Sequence, residues 1–125
     1  MILKRDISTT LLNWRKTKTR KPLLIYGARQ IGKSFSIRRF GEQNFKNIHE
    51  INFIENPSFS KAFEEGLNPE KIVDSLEVIL GRSINLKTDL LFFDEIQECK
   101  KAYSSLRFFW EKMPSSYVVG AGSLK

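Results

Sequence analysis

Gly27-Ala28-Arg29-Gln30-Ile31-Gly32-Lys33-Ser34 decides how the rest of this chain is read. The run satisfies G-x-x-x-x-G-K-[ST]. Its glycines let the backbone curl so that successive N–H groups point inward at an anion. The lysine can then reach terminal phosphates, and the hydroxyl after it suits Mg²⁺. The flanking sequence is what such a loop requires. Leu23-Leu24-Ile25-Tyr26 precedes it, a continuously apolar run of the kind that a parallel sheet buries on both faces. After it, Ser34 to Phe40 carries neither Gly nor Pro and predicts a helix, with Gly41 as its C-terminal stop. A strand–loop–helix unit brings a helix N-terminus, with its dipole and unpaired N–H groups, to the anion. The candidate nucleotide contacts are therefore Gly27, Ala28, Arg29, Gln30, Ile31, Gly32, Lys33, Ser34 and the following Phe35. The alternative, a Gly-containing turn with a solvated lysine, leaves the flanking strand and helix unexplained.

A second signal lies 61 residues beyond Lys33, in Leu90-Leu91-Phe92-Phe93-Asp94-Glu95. It reads as a buried strand ending in two carboxylates. At the strand's carboxyl edge Asp94 can hold Mg²⁺ opposite Ser34, and Glu95 can polarise a water for in-line attack on a terminal phosphate. Apolar residues before Asp-Glu also describe any strand running into a polar turn; the pairing with the loop gives the run its weight. A third run, Tyr117-Val118-Val119-Gly120-Ala121-Gly122-Ser123, predicts another buried strand. Ligands of doubly wound sheets bind at strand carboxyl ends, so Ser123 would meet a terminal phosphate or the attacking water. A Gly-Ser turn without a ligand remains open there. The candidate catalytic set is Glu95, Lys33 and Ser123, and the candidate Mg²⁺ ligands are Ser34 and Asp94.

Composition narrows the classes. With 125 residues, 41% hydrophobic content and ten Phe, the chain can bury the core of one domain. No apolar stretch approaches the roughly 20 residues that span a bilayer, so no membrane association is expected. The start, Met1-Ile2-Leu3-Lys4-Arg5-Asp6, lacks an apolar run of signal-peptide length. One cysteine, Cys99, and one histidine, His49, give no internal disulfide and no metal-ligand spacing, which fits a reducing cytoplasm. The net charge of +7 is concentrated: residues 1–40 hold eleven Lys or Arg against Asp6 alone. It is densest at Arg15, Lys16, Lys18, Arg20 and Lys21. Such a patch attracts phosphates and leaves nucleic acid open as a partner, although no aromatic is interleaved for base stacking. Arg38 and Arg39 read as solvating the outer face of the first helix after the loop.

Along the chain, Ile7, Leu11 and Trp14 recur at helical spacing and predict an amphipathic helix over about 6–17, packed on the sheet edge. Ile48 to Ile54 predicts an edge strand, because Ile51 and Phe53 alternate with Glu50 and Asn52. Asn56-Pro57 opens a short helix that stops at Gly66, and Asn68-Pro69 opens another that ends at Gly81. Tyr103, Leu106, Trp110 and Met113 predict the apolar face of a last helix before Pro114. Alternating strands and helices imply right-handed crossovers and a parallel sheet. The expected fold is α/β, a P-loop NTPase three-layer sandwich with a parallel sheet, truncated after the fourth strand.

Arg20 to Ser34, Phe92-Phe93-Asp94-Glu95-Ile96-Gln97 and Ala121-Gly122-Ser123-Leu124 together resemble one group of bacterial and archaeal AAA-type ATPases. Members of that group commonly carry a C-terminal DUF4143-type domain. The resemblance covers essentially all of the chain. It implies that residues 1–125 form an AAA-type ATP-binding core, incomplete, with 1–20 as a basic N-terminal helix and connector. It also implies Walker A at Lys33 and Ser34, Walker B at Asp94 and Glu95, a sensor-1 position at Ser123, and ATP with Mg²⁺ as cofactors. The group's sheet order is 5-1-4-3-2. Here the sequence stops after the fourth strand, so the expectation is an exposed phosphate-loop strand prone to self-association, and little turnover by this chain alone. No residue matches the group's arginine finger; Arg29, Arg82 and Arg107 qualify by charge only. The leading expectation is an ATP-binding domain whose intact parent hydrolyses ATP to drive conformational change. A non-hydrolysing nucleotide switch and a basic nucleic-acid-binding module stay open, as does a small-molecule phosphotransferase.

Overall fold

Strand β3 (Asp89–Asp94) is buried at every residue, because it runs through the middle of the sheet with helices on both faces. The computed structural model describes residues 4–27 and 32–123; Ala28, Arg29, Gln30, Ile31 and Leu124 lie outside them. The elements in order are α1 (Lys4–Lys16), β1 (Leu23–Tyr26), α2 (Lys33–Asn44), β2 (Asn47–Asn52), a 3-10 helix (Pro57–Phe63), α3 (Pro69–Leu80), β3, a 3-10 turn (Ile96–Glu98), α4 (Lys100–Lys112) and β4 (Val118–Gly122). The four strands are parallel in the order β1-β4-β3-β2. This is the α/β parallel sheet of a P-loop NTPase, and β2 is the edge strand expected from its alternating sequence.

Alternation along β3 divides the core into two. Leu90 and Phe92 pack with Ile25, Val119 and Ala121 beneath α1 and α2, where Ile7, Leu11, Ile37 and Phe40 close the layer. Leu91 and Phe93 face the other way and pack with Ile51, Val118 and the helical residues Phe63, Ile72, Leu76, Ala102 and Phe109. Phe93 meets Phe53, Phe63 and Phe109 at ring-centroid distances of 6.0, 5.7 and 6.2 Å. Truncating such a ring costs about 3–5 kcal/mol. The cluster therefore fixes the carboxyl end of β3, where Asp94 and Glu95 emerge.

Several elements differ from the sequence expectation, each for a packing reason. Helix α1 lies on α2 over one face of the sheet, not on its edge, since Ile7 and Leu11 are buried in the layer that holds Ile37 and Phe40. Gly41 does not stop α2, which continues to Asn44. A Cβ at Gly41 would come within 2.6 Å of Ile48 Cδ1, so this glycine lets β2 pass close to the helix. Strand β1 is not buried on both faces: Leu24 is 37% exposed, and β1 pairs only with β4 among the described residues. In α4 the buried face is Ala102, Ser105 and Phe109, whereas Tyr103 is 51% exposed. The short helix after Asn56 is 3-10 and ends at Phe63, ahead of Gly66. Asn56 and Asn68 do cap as their sequence suggests, accepting from Ser58 N and Glu70 N.

Candidate functional site

Parallel pairing brings the carboxyl ends of β1, β3 and β4 to one edge, and the first turn of α2 begins there. Gly32 occupies the left-handed region (φ 70°) as the N-cap of α2, a backbone conformation that glycine adopts without strain. The helix then opens on Lys33 and Ser34, and the Ser36 amide donates to Gly32 O at 3.0 Å.

Lys33 is 5% exposed, an unusual place for an ammonium. Its Nζ donates to Gly27 O at 3.3 Å and to Ser123 Oγ at 3.2 Å. Neither acceptor is charged, so the cation is hydrogen-bonded but not neutralised by them. Ser34 Oγ donates to Asp94 Oδ1 at 3.1 Å, and the same oxygen accepts the Glu95 amide at 2.9 Å. Burial pushes the Asp94 carboxyl above its usual range. The bonds from Ser34 and Glu95 N pull the other way, and repulsion from Glu50 and Glu95 adds to the rise. A buried carboxylate beside a hydroxyl fits a hard divalent cation. Two protein oxygens are what Mg²⁺ usually takes when phosphates and waters complete its shell. Among the described residues no group of three or more His, Cys, Asp or Glu is arranged to hold a metal.

Glu95 is half-buried and takes a left-handed backbone (φ 55°, ψ 44°), unique among the described non-glycine residues. Such conformations persist where surrounding packing imposes them, often at functional sites. Its Oε1 accepts from Gln97 Nε2 at 2.9 Å, and Gln97 Oε1 accepts the Ser123 amide at 3.2 Å. A Cβ on Gly122 would stand 2.8 Å from Gln97 Oε1, so this glycine leaves room for the amide.

The structure thus gathers Gly27, Gly32, Lys33, Ser34, Asp94, Glu95 and Ser123 at one edge. Phe35 lies on the same first turn of α2 and is 49% exposed. Ala28, Arg29, Gln30 and Ile31 are outside the described residues. Gln97 and Glu50 join the neighbourhood without having been singled out; Gln97 sits in the quoted Phe92–Gln97 run, but nothing in its residue type announces the bridge. A cleft of about 700 Å³ lies at the opposite end of the sheet, lined in part by Glu70, Asp74, Glu77, Asn85 and Ser116, and contains none of these residues.

Four basic residues have other occupations. Arg20 is buried, its guanidinium donating to Thr17 O, Ser115 O and Ser116 O and lying 4.0 Å from the Tyr117 ring centroid. It therefore leaves the exposed basic stretch. Arg38 does not merely solvate α2: it pairs with Glu50 on β2 through two bonds of 2.7 and 2.8 Å. Arg82 Nε donates to His49 Nδ1 at 3.0 Å, near the amino end of the sheet, and Arg107 pairs with Glu111 along α4.

A sheet of this order with a glycine loop opening a helix defines a P-loop nucleotide-binding class. A family model for an AAA domain (AAA_14) matches residues 19–125, and the chain belongs to that family. A solved structure, titled as the P-loop NTPase domain of the Sigma-54 transport activator from E. coli, matches with a TM-score of 0.47 and 12% identity. That match covers 94% of this chain and 84% of the other. No curated protein matches the sequence. No helix among the described residues is long and apolar enough to cross a membrane.

Proposed function

We propose that this AAA domain binds ATP with Mg²⁺ at the carboxyl ends of β1, β3 and β4, and that the parent protein hydrolyses it to drive a conformational change. The observation that carries this reading is the convergence of two side-chain pairs from distant sequence: Lys33 Nζ 3.2 Å from Ser123 Oγ, and Ser34 Oγ 3.1 Å from Asp94 Oδ1. Each pair joins a phosphate-loop residue to a strand end. Lys33 exchanges its two neutral acceptors for phosphate oxygens, which give the buried ammonium a charged partner. Ser34 and Asp94 supply oxygens to Mg²⁺, which when bound offsets phosphate charge. Glu95 accepts the proton of the attacking water, and Ser123 donates to the γ-phosphate or that water. Adenine rather than guanine rests on family membership; the sequence has no N-K-x-D run. The lone Cys99 is buried, in keeping with a cytoplasmic setting.

The test is binding of a fluorescent ATP analogue with Mg²⁺ to the wild type and to Lys33→Ala, alongside phosphate release. Lys33-dependent binding is expected. Binding indifferent to Lys33 would sink the assignment.

A further inference from the structure

The hydrogen bonds around Gln97 form a chain with a fixed direction. Lys33 Nζ donates to Ser123 Oγ, the Ser123 amide donates to Gln97 Oε1, and Gln97 Nε2 donates to Glu95 Oε1. The orientation of the Gln97 amide is set by its partners: an N–H must face an oxygen, and a carboxylate must face an NH₂. Only one of the two amide orientations satisfies both neighbours. Gly122 leaves the room in which Gln97 Oε1 sits, 2.8 Å from where a Cβ would be. Gln97 Nε2 also approaches Glu98 Oε2 at 3.5 Å, a weaker contact. The Glu95 carboxylate is thus held through one oxygen, on a backbone in the left-handed region, by a residue whose other end rests on the carboxyl end of β4.

We propose that Gln97 is a positioning residue that ties the Glu95 carboxylate to the Ser123 position, so that nucleotide arriving at Lys33 and Ser123 alters the hydrogen bonding of Glu95. The proposal rests on the nucleotide reading above. A ligand oxygen that takes the Lys33 ammonium from Ser123 Oγ frees that hydroxyl and shifts the end of β4. The Ser123 amide moves with it, and the Gln97 side chain carries the displacement to Glu95. One Glu95 oxygen stays bound to Gln97, and the other is left to receive a water proton. Water-polarising geometry then follows γ-phosphate occupancy. A neutral amide suits this task, since it can accept at one end and donate at the other, which neither Glu nor Lys can do.

The experiment follows the Glu95 side-chain carboxyl by ¹³C NMR in the full chain, with Glu95→Gln identifying the signal. Mg²⁺ and a non-hydrolysable ATP analogue are added to the wild type, Gln97→Met and Gly122→Ala. Methionine keeps the length of Gln97 without the amide; alanine at 122 leaves Gln97 intact, but its Cβ would meet Gln97 Oε1 at 2.8 Å and the Tyr26 ring at 2.9 Å, displacing both. In the wild type the Glu95 signal moves on binding. In both variants the analogue should bind with a Kd within about twofold of the wild type while the Glu95 signal stays near its free position. Where turnover is measurable, kcat falls about tenfold or more with KM little changed, as expected when an attacking group is misplaced. A wild-type Glu95 response in either variant, with binding retained, overturns the proposal alone. If one variant fails to fold, the other decides. A wild type that does not bind the analogue overturns the nucleotide reading and this proposal with it.

Discussion

Replacing Asp94 with Asn separates what this residue does for the fold from what it does for a ligand. The side chain is 3% exposed, and its Oδ1 accepts from both Ser34 Oγ and the Glu95 amide. An asparagine of the same shape keeps that oxygen and both bonds, and deletes a charge that burial disfavours and that Glu50 and Glu95 repel. A carboxyl whose folded pKa lies above its unfolded value binds its proton more tightly in the native state. Its contribution to stability is fully present below the unfolded pKa and is lost as pH rises through the folded one. At pH 7 the free Asp94→Asn protein should therefore be at least as stable as the wild type. The bound state reverses the order. A ligand at 100 times its Kd stabilises by about 2.7 kcal/mol, which for a chain of this size raises Tm by about 10 °C. Most of that shift should disappear in Asp94→Asn, because its carboxylate is one of two protein oxygens offered to Mg²⁺. Calorimetry at pH 7 with ATP, with Mg²⁺ or with EDTA, reads both effects. A free variant destabilised by more than about 1 kcal/mol, or one that keeps the full Mg²⁺-dependent shift, would refute the reasoning.

If hydrolysis follows the proposed route, Glu95→Gln should lower phosphate release by about two orders of magnitude or more while nucleotide binding persists; release that ignores the change removes Glu95 from the chemistry. Arg20→Lys should cost about 2 kcal/mol by urea denaturation, because a lysine cannot serve Thr17 O, Ser115 O and Ser116 O while stacking on Tyr117. Burial opposes ionisation of Asp89, but bonds from His49, Asn85 N, Thr88 and Asn47 outweigh it and hold its carboxyl below the usual range. That stabilisation is present above the unfolded pKa and is lost as pH falls through the folded one, so Asp89→Asn should flatten the acid limb of a stability–pH curve.

Local signals were legible wherever the chain settles a question within a few residues. Asn56-Pro57 and Asn68-Pro69 cap as read, because a cap needs only a side chain two residues from an amide. The loop, the acidic strand end and the terminal hydroxyl converge because parallel strands deliver all their carboxyl ends to one edge. Helix α4 presents a face rotated from the stripe its sequence predicts. Of the apolar stripe Tyr103, Leu106, Trp110 and Met113, Leu106 and Met113 pack against the core while Tyr103 stays exposed, and the helix turns Ala102, Ser105 and the large ring of Phe109 fully inward. Gly41 misled for a similar reason: glycine before a turn resembles a stop, whereas here it serves a neighbour in β2.

What the sequence hid are partnerships decided by register. His49 lies beside β3, so Asp89 Oδ2 comes 2.8 Å from its Nε2, a buried pair joined from the outside by Arg82. Arg20 sits in a dense basic run and looks like surface charge, yet two of its carbonyl acceptors are 95 and 96 residues away. Gln97 is the functional counterpart of these cases. Its type is unremarkable in a polar turn, and its meaning comes from β4 ending beside it after a crossover through α4. A residue's chemistry can be named from its neighbours in sequence only when its partners are there too. At the edge of a parallel sheet they come from other strands, so motif reading finds the groups that touch phosphate before it finds those that hold such groups in place.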